Sequence, residues 1–501
     1  MKTGKLASAL LIVMLMSFIP GALAFDFSQI EDKIVEHTLD NGLTFLILPR
    51  HEAPVISFVT QANVGCADDP KGYMGLAHMF EHMAFKGTKE IGTTDFEKEK
   101  KWIAEEDRIF EMILDERARG DLADSARLAE LETQMQEATD SASQYVVTNE
   151  FNQILNREGG VGLNAGTSQD QTSYYISLPS NKLELWMAME SDRFANPILR
   201  DLYKEKQVVA EERRFRVESS PTGRMFYQEY VGLAFNSHPY GQPIIGEMNE
   251  IQNYNRPIMR DQFNKYYIPR NLVIAIVGDV EPDEVIKLAD KYFGRIKDRP
   301  KLRPLDVRDP APYGVRTTTI YDEAQPMFIS GYFIPSANHP DFIAVSALAN
   351  YLGSGRTSVF NKKLVKEDKS AIEASAWAGF PGRKYHTLFN IICIPSNEST
   401  NAENEAKILA EIENVRTDLI PVEELDKIKA QAKAGMINAM GSNMGLASQL
   451  TAYQTRTGNW RDLFDYLNKV NALTREDIKR VAETYLDPQK RVVVYIEKPE
   501  A

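Results

Sequence analysis

The 501-residue sequence has only two cysteines, Cys66 and Cys393, and no cluster of basic residues. Two cysteines cannot form the disulfide framework of a small secreted domain. They could pair with each other in an oxidising compartment, but two small buried thiols are the simpler interpretation. Lys and Arg number 58 against 71 Asp and Glu, which gives a formal charge of −13. Because attraction to phosphates requires clustered positive charge, we expect no nucleic-acid partner.

Long apolar runs are also missing, except near the amino terminus. The run from Leu6 to Ile19 is almost wholly apolar; Lys2 and Lys5 precede it, and the small-residue segment Ala-Leu-Ala at 22–24 follows it. This run is shorter than the roughly 20 residues that a bilayer-spanning helix needs. The pattern predicts a signal peptide over residues 1–24, cleaved after Ala24, with an uncleaved anchor as the alternative. We therefore expect an exported, periplasmic protein that has no stable membrane insertion after cleavage.

The remaining sequence contains an internal repeat. The segment DQFNKYYIPRNLVIAIVG (Asp261 to Gly278) has the same plan as IKRVAETYLDPQKRVVVYIE (Ile478 to Glu497). Each reads as an amphipathic helix end, a turn and a β-branched strand. Aligning Tyr267 with Tyr485 gives an offset of 218 residues, whereas a weaker repeat of strand-like runs beginning at Pro54 and Pro326 gives 272. The sequence thus predicts two related halves, of which the first carries about 54 additional residues.

Residues 96–148 account for the additional length. They are rich in Ala, Glu, Arg and Leu, contain no Pro, and are interrupted by Gly120-Asp121. We expect a two-helix hairpin with Asp121 capping the second helix, serving as a solvated element or as a partner-docking arm. A charged, Pro-rich stretch without periodicity predicts a linker between the halves. The predicted organisation is a signal peptide (1–24), a first half (25–298, with the insertion at 96–148), a linker (299–312) and a second half (313–501).

The segment GYMGLAHMFEHMAFKGT, residues 72–88, carries the strongest chemical signal. Its apolar residues suit a buried helix, on which His78 and His82, four residues apart, project from one face and can bind one cation. Glu81 lies beside the same face, where a carboxylate can take a proton from a metal-bound water. Two core histidines satisfied by other polar groups are the less favourable interpretation, because buried imidazoles need partners and a metal supplies one.

A hydrolytic zinc site usually takes three protein ligands, and a downstream helix offers the third. In LYKEKQVVAEERRFRVE, Glu205 and Glu212 are seven residues apart and therefore share one helix face. One of them can ligate the metal while the other hydrogen-bonds a ligand imidazole. Spacing alone does not distinguish Glu211 from Glu212 as the ligand.

Several segments resemble the pitrilysin/insulinase-type zinc metallopeptidases, the inverzincins. The resemblance rests on HMFEHMAFKGT and EKQVVAEERR, on residues 159–193, and on HPYGQPIIG at 238–246, and it covers nearly all of the mature chain. It implies that Zn²⁺ is held by His78, His82 and Glu212, with Glu205 supporting a ligand histidine. It also implies an α+β fold of two homologous halves, each a mostly antiparallel sheet packed with helices, closing as a clamshell over a chamber.

The resemblance further suggests how substrate is bound and what is missing. An exposed strand edge at Asn164 and Ala165 would pair with an extended peptide, although VGLNAGT can also be read as a plain turn into a strand. Single-chain members of the family carry an Arg and a Tyr in the second half, and the aligned positions here are Val365 and Ile372. Neither side chain can donate a hydrogen bond, so we expect a homologous non-zinc subunit to supply these donors.

The sequence therefore predicts a zinc-dependent endopeptidase that hydrolyses peptides or unfolded polypeptide segments, with Glu81 as the general base. The second half has no copy of the metal motif, so one chain carries one site. A binding or assembly subunit with a structural zinc site is the main alternative. A closed four-ligand site would need a further Cys, His or Asp, and no obvious candidate lies nearby. The same site acting on a non-peptide substrate is a second alternative.

Overall fold

The structure is a computed structural model that describes residues 28–300 and 303–499. The predicted signal peptide, residues 1–24, lies outside these ranges. Within them, no helix is both long and apolar enough to cross a membrane. Two β-sheets, one from each half of the chain, organise the fold.

The first sheet belongs to the amino-terminal half. Its strands are β1 (Val35–Thr38), β2 (Thr44–Pro49), β3 (Val55–Ala62), β4 (Val161–Thr167), β5 (Thr172–Pro179) and β6 (Leu272–Gly278). Their order is β1-β2-β6-β3-β5-β4, with β2 and β6 parallel, the other pairs antiparallel and β4 at an edge. The helices of this half are α1 (Ser28–Glu31), α2 (Leu76–Met83), α3 (Phe96–Arg117), α4 (Ser125–Ser143), α5 (Glu150–Arg157), α6 (Leu183–Ala195), α7 (Leu202–Arg213), α8 (Pro221–Arg224), α9 (Val231–Ala234), α10 (Met248–Asn253), α11 (Arg256–Tyr266) and α12 (Pro282–Phe293).

The second sheet belongs to the carboxy-terminal half. Its strands are β7 (Arg316–Tyr321), β8 (Met327–Ile334), β9 (Ala371–Phe380), β10 (Thr387–Pro395) and β11 (Arg491–Glu497). Their order is β7-β11-β8-β10-β9, with β7 and β11 parallel and the other pairs antiparallel. The helices of this half are α13 (Phe342–Gly353), α14 (Asn401–Thr417), α15 (Val422–Met440), α16 (Asn443–Thr457), α17 (Asp462–Asn471) and α18 (Arg475–Tyr485). Three π-helical segments, Arg214–Glu218, Met225–Tyr230 and Asn361–Glu367, interrupt or extend the α-helices.

The two sheets have the same topology once β1 is left out. Strands β2-β6-β3-β5-β4 match β7-β11-β8-β10-β9 in order and in direction. The repeated sequence segments occupy equivalent places, since Tyr267 lies between α11 and β6 and Tyr485 ends α18 just before β11. The predicted fold class, two related α+β halves with mostly antiparallel sheets and packed helices, is confirmed.

Each sheet is covered on one face by helices of the other half. The outer face of the first sheet packs against residues from α15, α16 and α17, including Met440, Leu450 and Trp460. In return, a face of the second sheet packs against residues 225–240 of the first half. The buried Tyr230 hydroxyl of that segment donates to Asn390 Oδ1 at 2.8 Å. Burial of apolar side chains across these two contacts joins the halves into one core structure.

The predicted helical hairpin is present as α3 and α4, but its cap differs from the prediction. Helix α4 is capped by Asp124, whose side chain accepts hydrogen bonds from the N–H groups of Ala126 and Arg127. Asp121 instead lies in a short 3₁₀ turn, so the prediction that Asp121 caps this helix is wrong. The connection between the helices uses this extra turn, which moves the cap three residues along the chain.

The hairpin is tied to the body of the protein by buried charges. Arg256, which is fully buried on α11, pairs with Glu106 at 2.5 Å and with Asp107 at 2.7 Å. Tyr203 of α7 packs against the apolar side chains of the hairpin and donates to Asp107 at 2.9 Å. Part of the negative charge of this segment is thus used in internal contacts rather than left in solvent.

Candidate active site

Helix α2 carries the H-x-x-E-H motif and is fixed at both its core face and its beginning. Its apolar side chains belong to the main core of the first half. Gly75 precedes the helix with a left-handed φ of 93°, and a Cβ atom there would lie 2.5 Å from the carbonyl oxygen of Ile245. The buried carboxylate of Asp69 accepts hydrogen bonds from the N–H groups of Gly75 and Ala77 at 2.9 and 3.1 Å. The first turn of the motif helix is therefore held in one position.

His78, His82 and Glu212 converge in space. The Oε2 atom of Glu212 lies 3.8 Å from Nε2 of His78 and 3.4 Å from Nε2 of His82. One donor atom from each of the three residues lies within 4.8 Å of the others. Zinc bonds of about 2.0–2.1 Å in tetrahedral geometry place neighbouring donor atoms roughly 3.3–3.4 Å apart. The donor set and its spacing thus fit a zinc ion, with a small contraction at His78.

Glu205 and Lys86 continue this cluster away from the three convergent donors. His82 uses its other ring nitrogen, Nδ1, to contact Glu205 Oε1 at 2.9 Å. The second oxygen of Glu205 lies 2.5 Å from Nζ of Lys86, and the Glu205 side chain is only 10% exposed. The chain Lys86–Glu205–His82 fixes the orientation of the imidazole and directs its Nε2 toward Glu212.

Arg216 contacts the remaining oxygen of Glu212. Its Nε lies 3.0 Å from Glu212 Oε1, and its side chain is 67% exposed. The residue belongs to the π-helical turn Arg214–Glu218 that extends α7. Neighbouring Glu211 points elsewhere, since it pairs with Arg214 and is 69% exposed. Of the two adjacent glutamates that spacing left open, the structure brings Glu212 to the histidines.

The two histidines have opposite pKa shifts. Burial, together with the charge of His82, lowers the pKa of His78 to about 4. Burial also lowers the pKa of His82, but hydrogen bonds to Glu205 and Glu212 outweigh it and raise that pKa to about 9. The hydrogen bond with His82 is the main reason that the pKa of Glu212 is lowered. At neutral pH the metal-free cluster therefore holds its proton on His82, between two carboxylates.

Glu81 lies half-buried between the two histidines of the motif. Its carboxylate forms no hydrogen bond or ion pair with other residues in ranges 28–300 and 303–499. Its negative charge is one of the smaller causes of the raised pKa values of Cys66, Tyr174 and Tyr267, after burial of those groups. A carboxylate without an internal partner is free to exchange a proton with a water or a substrate.

Asn164 and Ala165 lie on β4, the edge strand nearest the motif helix. Their Cα partners on β5 are Tyr175 and Tyr174, and no other described strand pairs with the opposite edge. The N–H group of Ala165 donates to the side-chain Oδ1 of Asn164 at 2.9 Å. A strand edge of this kind offers backbone groups to an extended peptide.

Val365 and Ile372 stand where the resemblance predicts hydrogen-bond donors. Val365 belongs to the π-helical segment Asn361–Glu367 and packs, half-buried, on the core of the second half. Ile372 lies on β9 and is 58% exposed.

Both cysteines of the chain are buried and free, and burial raises the pKa of the Cys66 thiol.

Sequence reasoning missed three side chains that organise the site, namely Lys86, Arg216 and Asp69. Arg216 could have been inferred, because a basic residue four positions after Glu212 faces it on a helix. Lys86 lies beyond the end of α2, and its contact with Glu205 spans more than a hundred residues of sequence. No local pattern predicts that contact. Asp69 precedes the helix by seven residues and reaches back to it through an irregular loop.

Comparisons with known proteins agree with the fold. The family model described as "Insulinase (Peptidase family M16)" matches residues 49–104 and 137–247. The model described as "Peptidase M16 inactive domain" matches residues 253–432. The segment omitted between the first two ranges lies within the α3–α4 hairpin.

Individual relatives extend over almost the whole chain. The zinc protease PqqE of Helicobacter pylori is 27% identical over 467 residues, covering 92% of this chain and 91% of that protein. The mitochondrial-processing peptidase subunit beta of Lentinula edodes is 22% identical over 465 residues, covering 90% and 86%. The crystal structure of a protease from Helicobacter pylori superposes with a TM-score of 0.76 at 26% identity, covering 93% of this chain and 99% of that one. Together with the two family models, which jointly match more than half of the sequence, these similarities show that the chain belongs to the insulinase-type M16 peptidase family.

Proposed function

We propose that the protein is a zinc-dependent endopeptidase that hydrolyses peptides or unfolded polypeptide segments. The observation that carries this proposal is the convergence of His78, His82 and Glu212 beside the unpaired carboxylate of Glu81. Three protein donors leave one position open, as catalytic zinc sites do. When bound, Zn²⁺ supplies Lewis acidity that makes water a nucleophile near neutral pH.

The residues of the chain then have separate tasks. Glu81 accepts the proton of the attacking water and delivers it to the nitrogen of the leaving amine. Glu205, held by Lys86, fixes the ring of His82 through Nδ1 so that its Nε2 faces the cation. Arg216 holds one oxygen of Glu212 and leaves the other for the metal.

We propose that substrate binds as an added strand on β4. Its free edge includes Asn164 and Ala165, and β4 lies next to the motif helix α2. The Asn164 side chain accepts the N–H of Ala165 in the free protein, as a substrate carbonyl would do in the complex. Backbone pairing selects an extended conformation rather than a side chain, which suits unfolded segments as substrates.

A homologous subunit completes the site in this proposal. Val365 and Ile372 cannot donate hydrogen bonds to a substrate carbonyl or to the oxyanion of the tetrahedral intermediate. Loss of one such donor typically costs about 10²–10³ in rate. An Arg/Tyr-bearing homologue in a heterodimer or larger assembly would supply both. Full turnover by the pure, monomeric chain would contradict this part of the proposal.

The proposed role of Glu81 is tested by Glu81→Gln, with Glu211→Gln as the matched control on the neighbouring helix. Zinc content and cleavage of an unfolded peptide are measured for each protein, with and without any co-purified homologue. Glu81→Gln should retain zinc and lose cleavage by about 10²–10⁴-fold, as expected for a general base. Glu211→Gln should retain both. Unchanged cleavage by Glu81→Gln would refute the role.

The alternative of a binding or assembly subunit with a structural zinc site is less well supported. A structural site is usually closed by four protein ligands, whereas the cluster found within the described residues has three. The same comparison of variants separates the two, since a structural site predicts zinc without cleavage even in the complete assembly.

We also propose export to the periplasm, because residues 1–24 have the pattern of a cleaved signal. Amino-terminal sequencing of the mature protein should begin at Phe25. Recovery of an intact Met1 from the membrane fraction would show an anchor instead.

A further inference from the structure

A cavity of about 1110 Å³ lies in the second half, well separated in sequence from the metal-binding motif. Its wall is formed by α13, β9, α15, α16 and α17, together with the turn after β9 and the beginning of α18. None of the proposed zinc-site residues lines it. Small residues such as Ala344 and Gly435 make room in its wall, and Tyr453 and Tyr466 contribute aromatic surface. The volume is slightly above the range of about 300–1,000 Å³ that is usual for small-molecule sites.

Two arginines of this wall lack a carboxylate partner. Of the four basic side chains that line the cavity, Lys469 pairs with Asp465 and Arg480 pairs with Asp341. Arg383 and Arg456 form no ion pair within the described residues. Two consecutive residues link them, since the N–H of Ala337 donates to the carbonyl oxygen of Arg383 at 2.9 Å and the side-chain amide of Asn338 donates to that of Arg456 at 3.0 Å.

Both side chains are held in place. The Arg456 guanidinium lies over the ring of Tyr453, with its central carbon 4.3 Å from the ring centroid. Its Nε is buried and has no hydrogen-bond partner among the described residues. The backbone N–H of Arg383 donates to Asp170 Oδ2 at 2.6 Å, and its side chain lies against Gly379, where a Cβ atom would be only 2.8 Å away. A buried donor without a hydrogen-bond partner is unfavourable, so a ligand that accepts its hydrogen bond is favoured.

The negative groups near this pair are mostly engaged elsewhere. Asp341 and Asp477 contact Arg480, and Asp462 accepts a hydrogen bond from Asn459. The carboxylate of Asp170 accepts the hydroxyl hydrogen of Tyr240 and the backbone N–H groups of Arg383 and Lys384. An anion between Arg383 and Arg456 would therefore meet two guanidinium groups that have no ion pair within the described residues.

We propose that this cavity binds a small organic anion whose carboxylate or phosphate bridges Arg383 and Arg456. Guanidinium groups bind both oxyanions through paired, charge-assisted hydrogen bonds. The apolar part of the ligand would pack on Tyr453 and Tyr466. A peptide with a free carboxyl terminus and a phosphate-bearing metabolite share this chemistry, and the test below distinguishes them. The site is independent of the proposed peptidase reaction.

Binding is measured on the purified full-length protein by calorimetry and by the shift of its melting temperature. The probes are pyrophosphate, an N-acetylated tetrapeptide with a free carboxylate, and the same peptide amidated at its carboxyl terminus. At least one of the two oxyanion probes should bind and raise the melting temperature. A preference of tenfold or more for the free over the amidated peptide identifies a carboxylate ligand, whereas binding of pyrophosphate alone identifies a phosphate ligand.

The double variant Arg383→Gln/Arg456→Gln should bind the preferred probe at least tenfold more weakly than the wild type. Arg260→Gln is the matched control, because Arg260 is exposed, has no ion pair within the described residues and lies outside the cavity. The single variant Arg383→Gln, at an exposed turn, repeats the test if the double variant does not fold. The proposal is overturned if neither oxyanion probe binds the wild type, or if the folded Arg383→Gln variant binds as tightly as Arg260→Gln.

Discussion

Glu205→Gln is the substitution that probes the support of the metal site most sharply. Glu205 does not belong to the three convergent donors, but it contacts His82 Nδ1 at 2.9 Å and Lys86 Nζ at 2.5 Å. Glutamine keeps the shape and can still accept from His82 with its carbonyl oxygen. Its amide group then faces the Lys86 ammonium, donor against donor, and the negative charge that strengthens the imidazole as a ligand is lost.

The expected effect is a loss of zinc affinity with the fold intact. Removing a hydrogen-bond partner of a metal-ligating histidine usually weakens metal binding by about 10–100-fold, or roughly 1.4–2.7 kcal/mol. The upper part of that range applies here, because the Glu205 side chain is only 10% exposed and solvent cannot replace it easily. In addition, Lys86 is left without the counter-charge of Glu205.

The assay is a competition titration of zinc against a chelator of known affinity, performed on wild type, Glu205→Gln and Glu211→Gln. Glu211 lies on the same helix as Glu205, and its ion pair within the described residues is with Arg214 at the surface. The zinc affinity of the Glu211→Gln variant should therefore match that of the wild type. The double variant Glu205→Gln/Lys86→Met should recover part of the loss, since it removes the donor–donor clash and the unpaired charge. Equal affinities for wild type and Glu205→Gln would refute the proposed support of His82.

Three further outcomes follow from the structure. Zinc binding at pH 7 should release about one proton, because the pKa of His82 is raised to about 9 and the metal needs a neutral imidazole. The apparent zinc affinity should therefore rise as the pH approaches 9. Calorimetry in buffers of different ionisation enthalpy would measure the proton release. Arg256→Met should lower the free energy of unfolding by about 3–5 kcal/mol in urea, because two hairpin carboxylates lose their buried partner; an unchanged transition would contradict this packing. Asp69→Ala should lower the free energy of unfolding by about 1–3 kcal/mol, since the N–H groups that begin α2 lose their acceptor. It should also weaken zinc binding, although Asp69 is not a proposed ligand. Unchanged stability and unchanged zinc affinity would argue against a role for this cap.

The sequence predicts the site well where its parts share one helix. His78 and His82 are four residues apart, so helix geometry alone places both on one face. Bringing Glu212 to them requires the packing of α7 against α2, which no local pattern encodes; only the resemblance to a known family pointed to that residue rather than to Glu211. The roles of Lys86 and Asp69 were not predicted for the same reason, because the tertiary structure, and not a local sequence pattern, brings each of them to its partner.

The part of the fold that could be predicted from the sequence is its division into two related halves. The repeated helix–turn–strand segments ending at Gly278 and Glu497 revealed two related halves, because each half reuses the same apolar periodicity. No sequence pattern indicated that helices of each half cover the sheet of the other half. The apolar face of α16 reads as an ordinary amphipathic helix, and the sequence does not tell which sheet it covers. The cap of α4 shows the limit at short range, since Asp121 and Asp124 are equally good capping residues.

The crossed covering of the two sheets makes each half part of the folding environment of the other. Buried side chains on both sheets hold the halves together in addition to their covalent connection. Produced separately, each half would expose an apolar sheet face that helices of the other half cover in the intact chain. Such a face could instead be covered by the same helices from a second copy, as in domain swapping.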